Sequence, residues 1–521
     1  MTPDLVIRNG TVLDGTGDAP FSADVAVSEG RIAACGSIPR GARELDATDC
    51  YVAPGFIDIH SHSDFTLLVD PRAVSALYQG VTLEVVGNCG HGCFPIIDVT
   101  LAADAIYGYS LAIPLTWRTA PEYFERIAAA RPGVNVISLV PNGQLRLAVL
   151  GATDRQARPE EMRRMLELLE GSLEAGAWGL STGLEYAQEC ASTEADIVRM
   201  CRVVAKSGRL YATHTRQRDE GAPAAVAEAI RTAQQSGVRL QVSHLLPRGG
   251  ADEGDQCIEL IEKAHDDGLD VGFDMHTRTF AMTHLHAALP AWALAPAEDR
   301  IKTLRDPVAR ERLRSHRSMV SAGGWSRVVL LGNGVWPQYS HVDIATIAQE
   351  RGQHPLHAIC DLLLGAGEEL NQLMVKIPCY TEAQQQHVFA HPLCAPGSDA
   401  TTLAPTGPLS ESTFLGAYSW AAWFYSFMVR KHGLLSPAEA VRRLSGLPAS
   451  RLGLDDRGVI RPGARADVVV FRPESYGERA TALEPNRLAD GVEHVLVNGI
   501  ATLVDGELTG DRAGVVIRHT G

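Results

Sequence analysis

Lysine is nearly absent from this chain. Five occur among 521 residues, at Lys206, Lys263, Lys302, Lys376 and Lys431, so positive charge is carried almost entirely by arginine. Acidic residues outnumber basic ones and leave a net charge of −15. That balance argues against nucleic acid or an anionic membrane surface as a main partner. No run of about 18 apolar residues occurs, so no transmembrane helix is predicted. The opening stretch "MTPDLVIRNGTVLDG" lacks the basic region and long apolar region of a signal peptide. It reads as a strand, an Asn9-Gly10 turn and another strand, and an intracellular, cytoplasmic protein is expected. Ten cysteines without regular spacing point to reduced thiols rather than a disulfide framework. Low-complexity linkers and tandem repeats are also missing.

What is present is a long, well-mixed chain. With 45% hydrophobic and 21% charged residues it reads as a soluble globular protein, and its length calls for more than one domain. Residues 1–52 are short β segments such as "DLVIRNG", "ADVAVSEG" and "RIAACG", separated by turn residues. Residues 455–521 read the same way, in "ADVVVFRP", "VEHVLVNGIATLVDGELTG" and "AGVVIRHTG". The two ends are expected to form one small β-sandwich. Between them, over 53–454, apolar strands alternate with helical stretches. Eight strand candidates can be read: "GFIDIHSH", "GVTLEVVGNCG", "NVISLVPNG", "AWGLSTGLE", "LYATHTR", "RLQVSHL", "DVGFDMHT" and "HPLCAPGSDA". This alternation predicts parallel βα units and an α/β fold of the (β/α)8 TIM-like barrel type, with its active site at the strand C-terminal ends. Residues 281–345 interrupt the rhythm and are expected to form a small insert over the barrel mouth.

The polar residues at the strand ends carry the chemistry. Strand one ends in His60 and His62, strand two in Cys89, strand five in His214, strand six in His244 and strand eight in Asp399. Two residues apart on a strand, His60 and His62 face the same side. Imidazole, thiolate and carboxylate are zinc donors. Taken singly, each has a plainer explanation. Cys89 could be a small buried hydrophobe, His214 or His244 a hydrogen-bonded core histidine, and Asp399 a turn cap. Six donors at the ends of five strands in one barrel pattern point instead to a metal site. Asp399 is suited to move a proton.

These residues make the sequence resemble the amidohydrolase superfamily and, within it, the N-acyl-D-amino-acid deacylase (D-aminoacylase) family. The resemblance runs through "LVIRNGTVLDGTG", "APGFIDIHSHSD", "QGVTLEVVGNCG", "GLSTGLEY", "YATHTR", "VSHL", "GSDA", "LPASRLGLDDRGVIRPGARADVVVF" and "VNG". It implies a metal-dependent (β/α)8 barrel with a zinc ligand cysteine on strand two, in place of the carboxylated strand-four lysine of many amidohydrolases. "AWGLSTGLE" accordingly holds no lysine. By resemblance, Cys89, His214 and His244 hold one zinc tightly, His60 and His62 match a second, weaker position, and Asp399 is the catalytic acid/base. The implied reaction is attack of metal-bound hydroxide on an amide carbonyl, with Asp399 shuttling the proton to the departing nitrogen.

Substrate-facing stretches depart from the family pattern. Leu246 stands where a lysine is usual, "DMHTRTF" replaces a "YPY"-like stretch, "PNGQLR" replaces "GHGTLR", and "SDA" replaces "SDG". Arg248 and Arg278 are candidate replacements for the carboxylate-binding lysine, because guanidinium binds carboxylate bidentately. His91, Cys93, His276, His284 and His286 also fall near the predicted mouth. The expected partner is a small N-acyl amino acid or related amide, and the oligomeric state stays open. A cyclic-amide hydrolase of the dihydroorotase or hydantoinase kind, an amidohydrolase deaminase and a non-catalytic barrel scaffold are the alternatives.

Overall fold

Alternating apolar residues in the first strands bury one face and draw the two ends of the chain together. The computed structural model describes residues 2–520 apart from 249, 295–296, 317, 319, 321–323, 368–369, 371–372 and 482–483. Leu5–Arg8 lies between Asp24–Ser28, antiparallel, and Arg43–Asp46, parallel, and Arg31–Gly36 completes a four-stranded sheet. A seven-stranded sheet contains strands from both ends: Tyr51–Pro54 pairs antiparallel with Val468–Phe471, beyond which lie Val492–Val497, Ile500–Val504 and Glu507–Leu508. Ile7, Val25 and Val27 from the first sheet share a core with Val52, Val468 and Val470 from the second. This is a β-sandwich built from both termini.

The last residues do not continue the sandwich. Val516 bridges Val136 in parallel, with Val136 N donating to Val515 O at 2.9 Å and Ile517 N to Val136 O at 2.8 Å. The third barrel strand explains this. Asn135–Ser138 pairs with the second strand, but only Val140–Pro141 pairs with the fourth. One edge of the strand's start is therefore open, and the C-terminal tail fills it, because unpaired buried main chain is costly.

Eight parallel strands form the barrel: Phe56–Asp58, Val81–Val86, Asn135–Ser138 with Val140–Pro141, Gly179–Gly183, Leu210–His214, Arg239–Val242, Val271–His276 and Cys394–Gly397. It closes between the eighth and the first, where Ser61 bridges Ala400 and both His62 N to Ala400 O and Asp399 N to His60 O measure 2.8 Å. Val81–Val86 and Leu210–His214 are buried throughout, as parallel strands covered by helices require. The helices carry their own signals. Glu194–Ala205 starts at a Thr193/Asp196 capping box, and Ala222–Ser236 stops at Gly237 with φ 74°. Among the described residues, no helix is long and apolar enough to cross a membrane.

The insert is longer than the sequence suggests. Phe280–His284 pairs antiparallel with Met374–Pro378, which also pairs with Val329–Leu330. Helices Ile344–Glu350 and Pro355–Ala366 lie within this excursion. Their apolar patterning matches a barrel helix, so only the long-range strand pairing reveals where the insert ends.

Candidate metal centre

The barrel brings all six donors to its C-terminal end. His60 and His62 follow the first strand, Cys89 sits in the turn Asn88–Gly90 after the second, and His214 ends the fifth. His244 and Asp399 lie just past the sixth and eighth. Cys89, His244 and Asp399 have φ of 53°, 36° and 44°. Left-handed backbone is uncommon for such residues and clusters at functional sites. The Cys89 turn packs so closely that a Cβ at Gly183 would lie 2.2 Å from Cys89 O, which accounts for the glycine that ends the fourth strand.

Among the described residues two donor groups result, each with ligand atoms within 4.8 Å of one another: His60, Cys89 and His244, and His60, His62 and Asp399. Cys89 Sγ is 3.3 Å from His60 Nε2 and 3.4 Å from His244 Nε2. Asp399 Oδ1 is 3.3 Å from His62 Nε2 and 3.6 Å from His60 Nε2. His60 is thus common to both groups. The family resemblance joins Cys89 and His244 with His214 instead. His214 lies beside them, its ring 4.7 Å from that of His244, while its Nε2 meets Glu185 Oε2 at 2.9 Å. Its Nδ1 is buried and has no hydrogen-bond partner among the described residues.

The electrostatics match these contacts. Burial pushes the Cys89 thiol up, but the charges of His60 and His244 outweigh it and hold the thiol well below its ordinary range. Burial likewise opposes ionisation of Asp399, yet the His62 hydrogen bond and the His244 and His60 charges keep its carboxyl well below the carboxylate range. Glu185, also buried, is held down to about 2 by Arg248 and His214.

The two arginines named from sequence take different places. Arg278 is buried; its guanidinium donates to Ser398 O and, at 3.0 Å, to Asp399 O, with Asp399 Oδ2 at 3.4 Å. It braces the Asp399 turn and is not among the residues lining the cleft. The reason is reach: Phe414 stacks on its guanidinium at 5.2 Å and the eighth-strand carbonyls satisfy it. Arg248 does line the cleft, paired with Glu185 and, at 3.4 Å, Asp219. The cleft is about 470 Å³ and also takes in His62, His214, His244, Tyr107, Tyr186, Arg218, Met282 and Asp399. His91, Cys93, His276, His284 and His286 belong to neither donor group among the described residues.

Two contributors carry too weak a signal in the sequence to be singled out there. Asp274 on the seventh strand bonds His60 Nδ1 at 2.9 Å, His244 N at 2.8 Å and Gln241 Nε2 at 3.0 Å. Glu185 holds His214. Asp274 interrupts a largely apolar strand and Glu185 follows a small-residue one, but neither position reveals which imidazole the carboxylate meets.

Comparison with known proteins shows the family and the fold. The amidohydrolase family model matches residues 43–316 and 397–501, and its gap begins inside the insert and ends at the eighth barrel strand. N-acyl-D-glutamate deacylase of Alcaligenes xylosoxydans xylosoxydans is 33% identical over 504 residues, 96% of this chain and 93% of the relative. The structure of N-acyl-D-glutamate deacylase from Bordetella bronchiseptica, complexed with zinc and a phosphonate inhibitor, has a TM-score of 0.82 at 29% identity and covers 99% of this chain and 100% of that one. A D-aminoacylase structure described by its binuclear metal centre has a TM-score of 0.83 at 28% identity, covering 99% of both chains. The likeness extends from the terminal sandwich through the barrel, and the chain belongs to the amidohydrolase family, as a relative of the N-acyl-D-amino-acid deacylases.

Proposed function

We propose that this chain is a zinc-dependent hydrolase of the amide C–N bond in a small N-acyl amino acid, most closely of the N-acyl-D-amino-acid deacylase kind. The observation that carries the proposal is the pair of donor groups sharing His60. Donors around tetrahedral zinc, with Zn–S about 2.3 Å and Zn–N about 2.0–2.1 Å, stand roughly 3.5 Å apart. The Cys89–His60 and Cys89–His244 separations of 3.3 and 3.4 Å fit that spacing. Cys89, His60 and His244 would hold one ion, with the buried Nδ1 of His214 adjoining. His62 and Asp399 would complete a second position with His60. Zinc there supplies Lewis acidity and a bound water acidified to a pKa of about 7.

The chain's own groups do the rest. Asp399 is ionised and partly open to the cleft, so its Oδ1 can accept a proton from the attacking water and return it to the departing nitrogen. Arg278 fixes the turn that aims it. Asp274 and Glu185 hold the His60 and His214 rings by their outer nitrogens, as carboxylates do behind metal-binding imidazoles. Tyr107 lines the cleft and packs against His62 with ring centroids 4.8 Å apart. Arg248, which lines the cleft beside Glu185, would be the arginine to meet a substrate carboxylate, in the role that Leu246 cannot take.

The test is an amine-release screen of the zinc-loaded protein against N-acyl D-amino acids, N-acyl L-amino acids and cyclic amides. Turnover of open-chain N-acyl D-amino acids, lost on chelation and restored by zinc, is expected. Turnover of cyclic amides alone would replace this proposal with the ring-hydrolase alternative.

A further inference from the structure

A second groove opens along the strand Phe280–His284, beside the cleft that holds Asp399. Two features tie the groove to the cleft. Met282 lines both. Across from it, Phe414 lines the cleft while its neighbours Thr413 and Leu415 line the groove. The strand Phe280–His284 separates the two spaces, Met282 alone of its residues reaches both, and methionine is the most adaptable of the apolar residues.

The groove has an apolar floor and a cationic wall. Phe280, Met282, Leu331 and Leu415 supply the floor, and Lys376 stands on the strand that pairs with it, directly opposite Met282. The Lys376 ammonium lies 5.9 Å from the Phe280 ring centroid, half-buried, and pairs with no carboxylate among the described residues. By contrast, Lys431 is paired, at 3.0 Å to Glu382. In a chain of net charge −15, a half-buried lysine with no acidic partner among the described residues, beside the proposed active site, favours an incoming anion.

The geometry points to this groove as a subsite for a carboxylate carried at the far end of the substrate, several bonds from the scissile amide. The substrate's carbon chain lies over Phe280, Met282 and Leu415, and its terminal carboxylate meets Lys376. This rests on the amide-hydrolase reading above and extends it, making the substrate a longer, doubly functional amide. The carboxylate could end the acyl half, as in a dicarboxylic acyl group, or the amine half, as in an acidic amino acid.

The test separates the subsite from the reaction. Calorimetric titration of the zinc-loaded protein would compare α,ω-dicarboxylates with monocarboxylates of equal chain length, from four to ten carbons or so. At one matching length the dicarboxylate should bind roughly tenfold tighter, the size of one added charge-assisted contact. That advantage should vanish in Lys376→Ala and persist in Lys376→Arg. Equal binding of both series at every length, or the same advantage in Lys376→Ala, would overturn the subsite. A hydrolysis arm then compares N-glutaryl and N-suberyl amides of a neutral amino acid with N-acetyl amides of acidic and neutral amino acids. Lys376-dependent preference within the first group places the carboxylate on the acyl half; within the second, on the amine half. Lys376-dependent dicarboxylate binding without hydrolysis of any amide would remove the proposed function and leave the subsite standing.

Discussion

The two walls of the cleft are made in different ways. On the barrel side, three of the candidate groups have a charged neighbour that fixes them: His60 has Asp274, His214 has Glu185, and Asp399 has Arg278. On the insert side the wall is Met282, Val320 and Ile377, which offer shape without fixed charge. The barrel wall is a set of oriented dipoles and charges that cannot move without losing buried partners. The insert wall can repack at little cost. Under the proposed function, chemistry would belong to the rigid scaffold and substrate choice to the excursion between the seventh and eighth strands, where the family match breaks off.

Changes on the barrel side should produce the largest effects. Asp399→Asn keeps the shape of the side chain but cannot take up and return a proton. It should reduce kcat by at least ~10²-fold, the lower range for general acid–base catalysis, with tight zinc and melting temperature nearly unchanged. Near-normal turnover would reduce Asp399 to a turn residue. The next effect should come from behind the ligands. Asp274→Ala frees the His60 ring and one hold on His244, and should weaken zinc affinity by about 10–100-fold, as loss of an outer partner typically does. Competition against a chelator reads this directly, and a thermal melt in excess zinc separates it from simple unfolding.

On the insert side the effect should be smaller and of another kind. Met282→Leu removes little volume and no charge, and such swaps cost under about 1.5 kcal/mol. It should change KM and the order of preference among acyl chains by a few-fold, with kcat on the best substrate and zinc affinity held. A tenfold fall in kcat for every substrate would mean that the insert wall takes part in the chemistry, and the contrast between the two walls would fail.

The same contrast explains what can be read in the sequence. Strand periodicity and strand-end residues are local, so the eight barrel strands, and the places of His60, His62, Cys89, His214, His244 and Asp399 at their ends, are legible from sequence alone. What is not legible depends on distance across the fold. Which imidazole faces Cys89 is set by side-chain reach across the barrel axis, and the closest is His60 at 3.3 Å, from the adjacent first strand. Arg278 turns to the eighth strand because carbonyls there lie nearer than the cleft. The insert's end hides behind helices of ordinary amphipathic pattern, and the C-terminal tail leaves its expected sheet because an open edge on the third barrel strand takes it up. Asp274 reads as one more strand carboxylate, because its three partners come from other strands.

The central claim is that Cys89 and its neighbouring histidines form a metal centre. It is tested most directly by measuring zinc per chain in the purified protein and in Cys89→Ala, after dialysis against a mild chelator and with folding verified by circular dichroism. At least one zinc per chain should remain in the unaltered protein and be lost or greatly reduced in the variant. Equal zinc in the two proteins would remove Cys89 from the site and contradict the account.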